Sequence, residues 1–256
     1  KRKLFSSIRS PTIIKKIKLI NRQISKTRKY TLFYPPSSCP KCGAAIKFFD
    51  NIPILSYLIL KGKCRRCSSP IGMTYLLVEL ISTLGSIMIA FLIISEFEFA
   101  NAEIIIKLIF INAFFLLSMA LFVIDCRLKI LPDSLTFPVG FLGLIFCTTG
   151  ASYIGTSEAI LGGLVGFLVL WTVFWGYKIC TKKEGLGRGD IKLIAGLGAW
   201  VGLSNIINVL LLASIIGLFV STILVLLNRH TYSQTIAYGP FLILAAFAII
   251  FKEFLV

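Results

Sequence analysis

The sequence predicts an all-α polytopic membrane protein, a helical bundle of seven apolar segments carrying one small cytoplasmic zinc-binding loop domain. Three observations lead there. The 256 residues are 57% hydrophobic with a mean hydropathy of +0.89, whereas soluble domains run at about 45–50% apolar. The apolar residues gather into long runs separated by short polar connections. Of 27 Lys+Arg, 17 fall in the first 67 residues, against one acid there, Asp50. A basic block of this kind suits nucleic acid or an anionic membrane surface. Beside so many apolar runs it reads as the positive flank of a membrane protein, and no nucleic-acid partner is expected.

Three parts follow in order. Residues 1–36 form a basic cytoplasmic or interfacial segment. Ile13, Ile17, Ile20 and Ile24 recur in it at helical spacing, as in a helix lying on a bilayer; a basic arm is the equal alternative. Residues 37–74 form a polar module with Cys39-Pro-Lys-Cys42, 21 intervening residues, and Cys64-Arg-Arg-Cys67. A tetrahedral ion takes four thiolates, and a two-residue gap lets both sulfurs of a knuckle face it. A structural zinc on Cys39, Cys42, Cys64 and Cys67 is therefore expected, in preference to two disulfides, which a basic cytoplasmic loop disfavours. Fewer than 40 residues build little core, so the metal would supply much of the folding free energy.

Residues 75–256 make the membrane-embedded part. The apolar runs are 75–95, 104–124, 135–150, 159–179, 191–203, 206–227 and 239–256. The run at 191–203 covers only about 20 Å at 1.5 Å per residue, short of the roughly 30 Å hydrocarbon core. Lys and Arg in the connections set the orientation. Connections 125–134, 178–192 and 228–238 carry bases and face the cytoplasm; 97–103 and 151–158 carry none and face outward. Asp125 and Asp190 thus fall on one side. Gly162/Gly166 and Gly198/Gly202 are pairs of small residues one helical turn apart, suited to close helix packing.

Few residues are able to do chemistry. His230 is the only histidine and lies in a polar loop, with nothing near it to complete a nucleophilic triad. Walker, dinucleotide and H-E-x-x-H patterns are missing from the sequence. Among the eleven acids, Glu96, Glu98, Glu103 and Glu158 belong to outer loops and Glu184 to an inner one. Glu79 opens an apolar run and needs a partner. Asp133 follows Pro132 and reads as a helix N-cap. Asp125 and Asp190 remain, each at a membrane edge, where an ionisable group is a functional candidate. Asp190 follows Gly187-Arg188-Gly189, so Gly187 and Gly189 form an active-site loop; a plain helix cap is the competing reading. Two carboxyl groups at one depth, with no other base, suggest an aspartic-protease pair sharing one proton.

The motifs together resemble those of the type IV prepilin peptidases, bifunctional leader peptidase/N-methyltransferases of type IV pilus and type II secretion systems. The likeness rests on Ser38-Cys39-Pro-Lys-Cys42, Asn51-Ile-Pro-Ile-Leu-Ser56, Gly62-Lys-Cys64-Arg-Arg-Cys67, Tyr75-Leu-Leu-Val-Glu79, Asp125 with Leu131-Pro-Asp133, Gly187-Arg-Gly-Asp190-Ile-Lys192 and Tyr238-Gly-Pro-Phe241. The resemblance implies an inner-membrane aspartic endopeptidase with its active site toward the cytoplasm. It implies prepilin or pseudopilin substrates, cut after a glycine behind a basic leader. It also implies methylation of the new N-terminus, usually a phenylalanine, by S-adenosyl-L-methionine, whose binding residues it does not place. The catalytic pair falls on Asp125 and Asp190, and the four cysteines on the family's zinc loop. The family carries an eighth apolar segment ahead of that loop, so the sequence reads as starting inside a longer gene product. Two other readings stand beside this one: a membrane-tethered zinc module that binds a partner, and a proton-coupled transporter using the two acids as a relay.

Overall fold

The computed structural model describes residues 37–95, 102–182, 185–227 and 236–255, and these form helices and turns with no β-strand beyond two isolated bridges. The basic segment 1–36, Glu96, Glu98, Glu184 and His230 lie outside the described residues. The chain divides into two compact units, Lys1–Glu79 and Leu80–Val256.

The first unit is built from two turns of the same design. Gly43 N–H donates to the Cys39 carbonyl (2.8 Å) and Ser68 N–H to that of Cys64 (2.9 Å). The bridges Ser38↔Ala45 and Lys63↔Pro70 close each turn. Residues 43 and 68 take left-handed backbone, with φ of 67° and 54°, a conformation for which glycine carries no steric penalty. Between the turns lie a short 3-10 helix, Phe48–Asn51, and α1, Leu55–Ile59. Arg65 grips Asp50 through Nε and a terminal nitrogen at 2.6–3.0 Å. That guanidinium holds the Asp50 carboxyl below the usual carboxylate range. Glu79, expected to need a partner, accepts the Ile54 N–H at 2.8 Å. Ile54 takes a φ of 63°, unusual for a β-branched residue, and this bond fixes it.

The second unit holds the rest of α2, Met73–Ser95, then α3, Ala102–Leu128, α4, Asp133–Thr148, α5, Thr156–Thr181, α6, Arg188–Leu226, and α7, Gly239–Leu255. Among the described residues, α2, α3, α5 and α6 are long and apolar enough to cross a membrane. Their outward side chains are hydrocarbon, among them Phe91, Ile109, Leu164 and Leu218, all more than half exposed. This is a surface suited to lipid, and the protein is a membrane protein.

The centre is the first arm of α6, residues 188–201. From Leu193 onward its sequence is apolar on every face, and a helix of that kind belongs inside. Ile191, Leu193, Ile194, Leu197, Trp200 and Val201 are each at most 2% exposed. Glycines let neighbours come this close. A methyl group on Gly162 of α5 would stand 2.6 Å from the Gly198 carbonyl oxygen, and one on Gly140 of α4 would stand 3.1 Å from the Gly196 Cα. The Trp200 indole N–H donates to the Val139 carbonyl at 2.8 Å, which satisfies a polar group in a dry core.

The arm ends at Gly202, with φ 74° and ψ 176°. The chain folds back there. A methyl on Gly166 would lie 3.2 Å from the Ile194 carbonyl oxygen and 3.0 Å from Ile206 Cγ1. Residues 194 and 206 would be about 18 Å apart along a straight helix, so meeting at one glycine requires reversal. The break expected between 203 and 206 is thus at Gly202, because the ψ there is open only to glycine. The first arm has 14 residues, so the short fifth run is a half-length helix paired with a longer returning one.

Candidate active site and metal centre

Asp125 lies in the last turn of α3, which runs past the apolar stretch to Leu128 and closes with the Lys129 N–H donating to the Asp125 carbonyl at 2.9 Å. Lys129 takes left-handed backbone, φ 54°, a common way for a helix to stop. Asp190 is the third residue of α6. Its carboxylate reaches back to the Gly187 N–H, as an acid in a capping box does. The cap reading and the site reading therefore describe the same side chain.

The fold brings these two acids together. Asp125 is 4% exposed and Asp190 6%, and the charge of Asp125 acts on Asp190. The backbone of Gly239, the first residue of α7, lies against the Asp125 carboxyl group, and its amide acts on both acids. Pro240 follows and has no N–H to offer. The N-termini of α6 and α7 thus converge on the pair, and helix N-termini favour negative charge. Asp125 Oδ2 is fully buried and has no hydrogen-bond partner of bonding geometry. Buried polar atoms are nearly always satisfied, so an orphan carboxylate oxygen needs an explanation.

The glycines of the loop have distinct reasons. A methyl on Gly187 would stand 2.8 Å from Asp190 Oδ2, and one on Gly189 would stand 2.9 Å from Leu131 Cβ. Leu131 also approaches Gly239, so it packs between the two helix starts. Asp133 does not cap α4, as Pro132 occupies the cap position without a side-chain bond. Its carboxylate instead pairs with Lys192 Nζ at 2.7 and 2.9 Å, because a lysine two residues past Asp190 reaches it first. Gly239 carries no reactive group, and sequence reasoning did not place it at the site. The signal available was a Gly-Pro pair opening an apolar run.

The four cysteines form the second constellation. Their sulfurs lie within 4.8 Å of one another, with Cys39 Sγ 3.8 Å from Cys67 Sγ. A tetrahedral ion with bonds of about 2.3 Å to sulfur sets its ligands about 3.8 Å apart. All four are free thiols, not disulfides, so the group is able to hold a metal ion. The Cys39 thiol is pulled down to about 6 by the Cys42 and Lys41 backbone amides and the Ser69 hydroxyl. Ser69 also draws the Cys67 thiol down. Both effects favour the thiolate that a metal needs, whereas Cys42, despite the Ala44 amide, is pushed up to about 11 by burial and the neighbouring thiols.

Residues 9–93 match the family described as Bacterial Peptidase A24 N-terminal domain, and residues 110–222 match the Type IV leader peptidase family. The Aeromonas hydrophila protein named prepilin leader peptidase/N-methyltransferase is 39% identical over 216 residues, 84% of this chain and 71% of that protein. Proteins of the same name are similar from Pseudomonas aeruginosa (39% over 223 residues, 86% and 72%) and Pectobacterium carotovorum subsp. carotovorum (36% over 214 residues, 84% and 73%). No solved structure matches the chain. With relatives this similar along most of its length, the chain belongs to the type IV leader peptidase family.

Proposed function

We propose that this chain cleaves prepilins and pseudopilins by a two-aspartate mechanism and N-methylates the residue exposed by the cut. The observation that carries the peptidase half is the orphan oxygen of Asp125 beside Asp190, with the Gly239 amide acting on both. The charge of Asp125 acts on Asp190, and two carboxyl groups coupled in this way hold one proton between them. The ionised member takes a proton from a water molecule. The protonated member donates to the scissile carbonyl oxygen as the water oxygen attacks the carbon. The resulting diol collapses with proton return to the departing amine, which breaks the C–N bond and restores the pair. Gly239 N–H orients the carboxylates throughout and needs no rearrangement to do so.

The basic connections at both acids support a site facing the cytoplasm from the inner membrane. The cysteine group takes zinc, the ion suited to four thiolates in a closed tetrahedral set. Zinc there supplies structure to the first unit, not chemistry. S-adenosyl-L-methionine is the methyl donor that the family name implies, and no residue is assigned to it. The transporter reading gains nothing from a pair packed against two helix starts, and the tethered-binder reading does not account for the orphan carboxylate.

The test uses the full chain in liposomes with a peptide carrying a basic leader, a glycine at the cut and a following phenylalanine. Wild type is expected to cleave it and, with S-adenosyl-L-methionine, to methylate the new terminus, as read by mass spectrometry. Asp125→Ala and Asp190→Ala are each expected to abolish the cut. Cleavage that survives both changes removes the peptidase reading.

A further inference from the structure

The first unit keeps little of its hydrocarbon inside. Among the described residues ahead of α2, only Cys39, Ser56 and Gly62 are buried. Phe48 is 91% exposed, and Phe49, Ile52, Leu55, Leu58 and Ile59 are exposed as well. Leu55, Leu58 and Ile59 are spaced as one face of α1. Ser56 is turned the other way, and its hydroxyl donates to the Phe49 carbonyl at 2.9 Å. That bond ties α1 to the 3-10 helix, so the leucine stripe and the phenylalanine pair adjoin. Bases flank them. Lys47 Nζ stands 5.5 Å from the Phe49 ring centre and the Arg65 guanidinium 5.4 Å, and Lys61 comes two residues after Ile59. Residues 37–72 carry six Lys and Arg against one acid, Asp50, which Arg65 already pairs. The unit is also joined closely to a membrane helix: Ile71 N–H donates to the Gly62 carbonyl at 2.7 Å, and α2 begins at Met73.

We propose that this surface docks on an anionic bilayer, on the side from which α2 emerges. Phe48 and the Leu55–Leu58–Ile59 stripe enter the boundary between headgroups and acyl chains, and Lys47, Lys61 and Arg65 meet lipid phosphates. The inference stands independently of the peptidase reading. Apolar side chains exposed this densely mark an interaction surface. Aromatic rings settle at headgroup level, and Lys and Arg lay their stems along hydrocarbon while their charges reach the polar layer. The charge selects the occupant. A basic peptide leader is repelled by six bases, and so is residues 1–36 of this chain, which hold eleven bases and no acid. A second copy would set the same basic patch against itself, as a two-fold contact requires. An anionic lipid surface is the complement, and each base near it is favoured. The tether points the same way. With one residue, Gly72, between the Ile71 hydrogen bond and α2, the bilayer is at high effective concentration, whereas a dissolved partner pays the full cost of association. A patch this small need only add a second contact to a chain that α2 already anchors.

The experiment uses the full chain in liposomes of phosphatidylcholine mixed equally with phosphatidylglycerol. The photoreactive residue benzoylphenylalanine replaces Phe48 or, separately, Leu58, and adducts are read by mass spectrometry after illumination. Adducts to lipid acyl chains are expected at both positions. Their yield is expected to fall about fivefold or more in phosphatidylcholine alone, since one base near an anionic surface already shifts the balance by about that factor. Lys47→Gln combined with Lys61→Gln should lower it likewise in the mixed liposomes. Salt at about 1 M screens the same contacts and should do so without any change to the bases, which keeps the test sound if that double variant unfolds. Adducts confined to this chain, to a second copy or to an added prepilin-like peptide overturn the inference. So does a lipid yield that responds neither to phosphatidylglycerol nor to salt.

Discussion

Gly239 lies so close against Asp125 that a methyl group on it would stand 2.6 Å from Oδ2 and 3.3 Å from Cγ. Its φ is not in the left-handed region, so the glycine is there for close approach, not for an unusual backbone angle. Gly239→Ala would push the carboxyl group or the start of α7 aside. A displacement near 1 Å in a catalytic group lowers rate on the order of 10²-fold. We expect a loss of that size in kcat for prepilin cleavage, with thermal unfolding little changed. Gly176→Ala is the control, since nothing lies within 4 Å of that position. Equal activities in the two variants would show that the contact is unimportant.

If Asp125 and Asp190 act as one unit around one proton, their losses do not add. Asp125→Asn alone, Asp190→Asn alone and the double variant are expected to reduce cleavage to a similar floor, as residues acting together do. Rates measured for all four proteins check this. A double variant that multiplies the two single losses would mean that the acids work independently.

The acids were legible in the sequence because ionisable residues are rare at the edges of apolar runs, and the elimination left two. The helices were legible for the same reason, although their ends were not. The run expected to stop at residue 124 continues to Leu128, since Asp125-Cys126-Arg127-Leu128 is compatible with helix and hydropathy does not mark a helix end. Asp133 read as a cap from its place after Pro132, but its ion pair with Lys192 joins residues 59 apart, which no local pattern announces. Gly239 stayed hidden because its contribution is a backbone N–H, which every residue but proline has. The reversal at Gly202 was visible only as a run too short to span a bilayer.

The cysteine group makes a prediction about metal. The purified chain is expected to carry one zinc per molecule by elemental analysis. Cys64→Ser is expected to lose it, together with the ordered turns of the first unit, since a unit this small leans on its ion for folding. Acid or chelator should release the metal, because the ligands bind as thiolates. A chain that is folded and metal-free as isolated would refute the assignment.

Close packing at the centre is open to a direct test on Gly162. A methyl there would meet the Gly198 carbonyl oxygen and the Gly202 carbonyl carbon, both at 2.6 Å. Neither is the end of a flexible side chain, so α5 must shift. Gly162→Ala is expected to destabilise the protein by about 1–3 kcal/mol, the usual range for overpacking, read as a lower Tm in detergent. Gly163→Ala meets one carbonyl oxygen, that of Ala195 at 2.9 Å, and should fall between Gly162→Ala and Gly176→Ala. A Tm order that does not follow these contacts would show that the bundle relaxes freely around its glycines.

Gly202 separates packing from backbone strain. A methyl there would find 3.2 Å to Ile154 Cγ2 and 3.4 Å to Glu158 Oε2, tight but yielding neighbours. The obstacle is the backbone, since φ 74° with ψ 176° is a region that residues with a Cβ enter at about 1–3 kcal/mol. Gly202→Ala is therefore expected to lower stability by that amount although it makes milder contacts than Gly162→Ala. The variant also has an easier course, to let α6 run on as an unbroken helix. That would carry Ile206 away from Gly166 and Ser214 away from Tyr238, so cleavage should fall along with stability. A loss of Tm with kcat and KM intact would mean that the fold-back survives the strain. Loss of cleavage at a temperature well below the Tm would mean that the reversal at Gly202 is needed to hold Tyr238 and Gly239 against the acids.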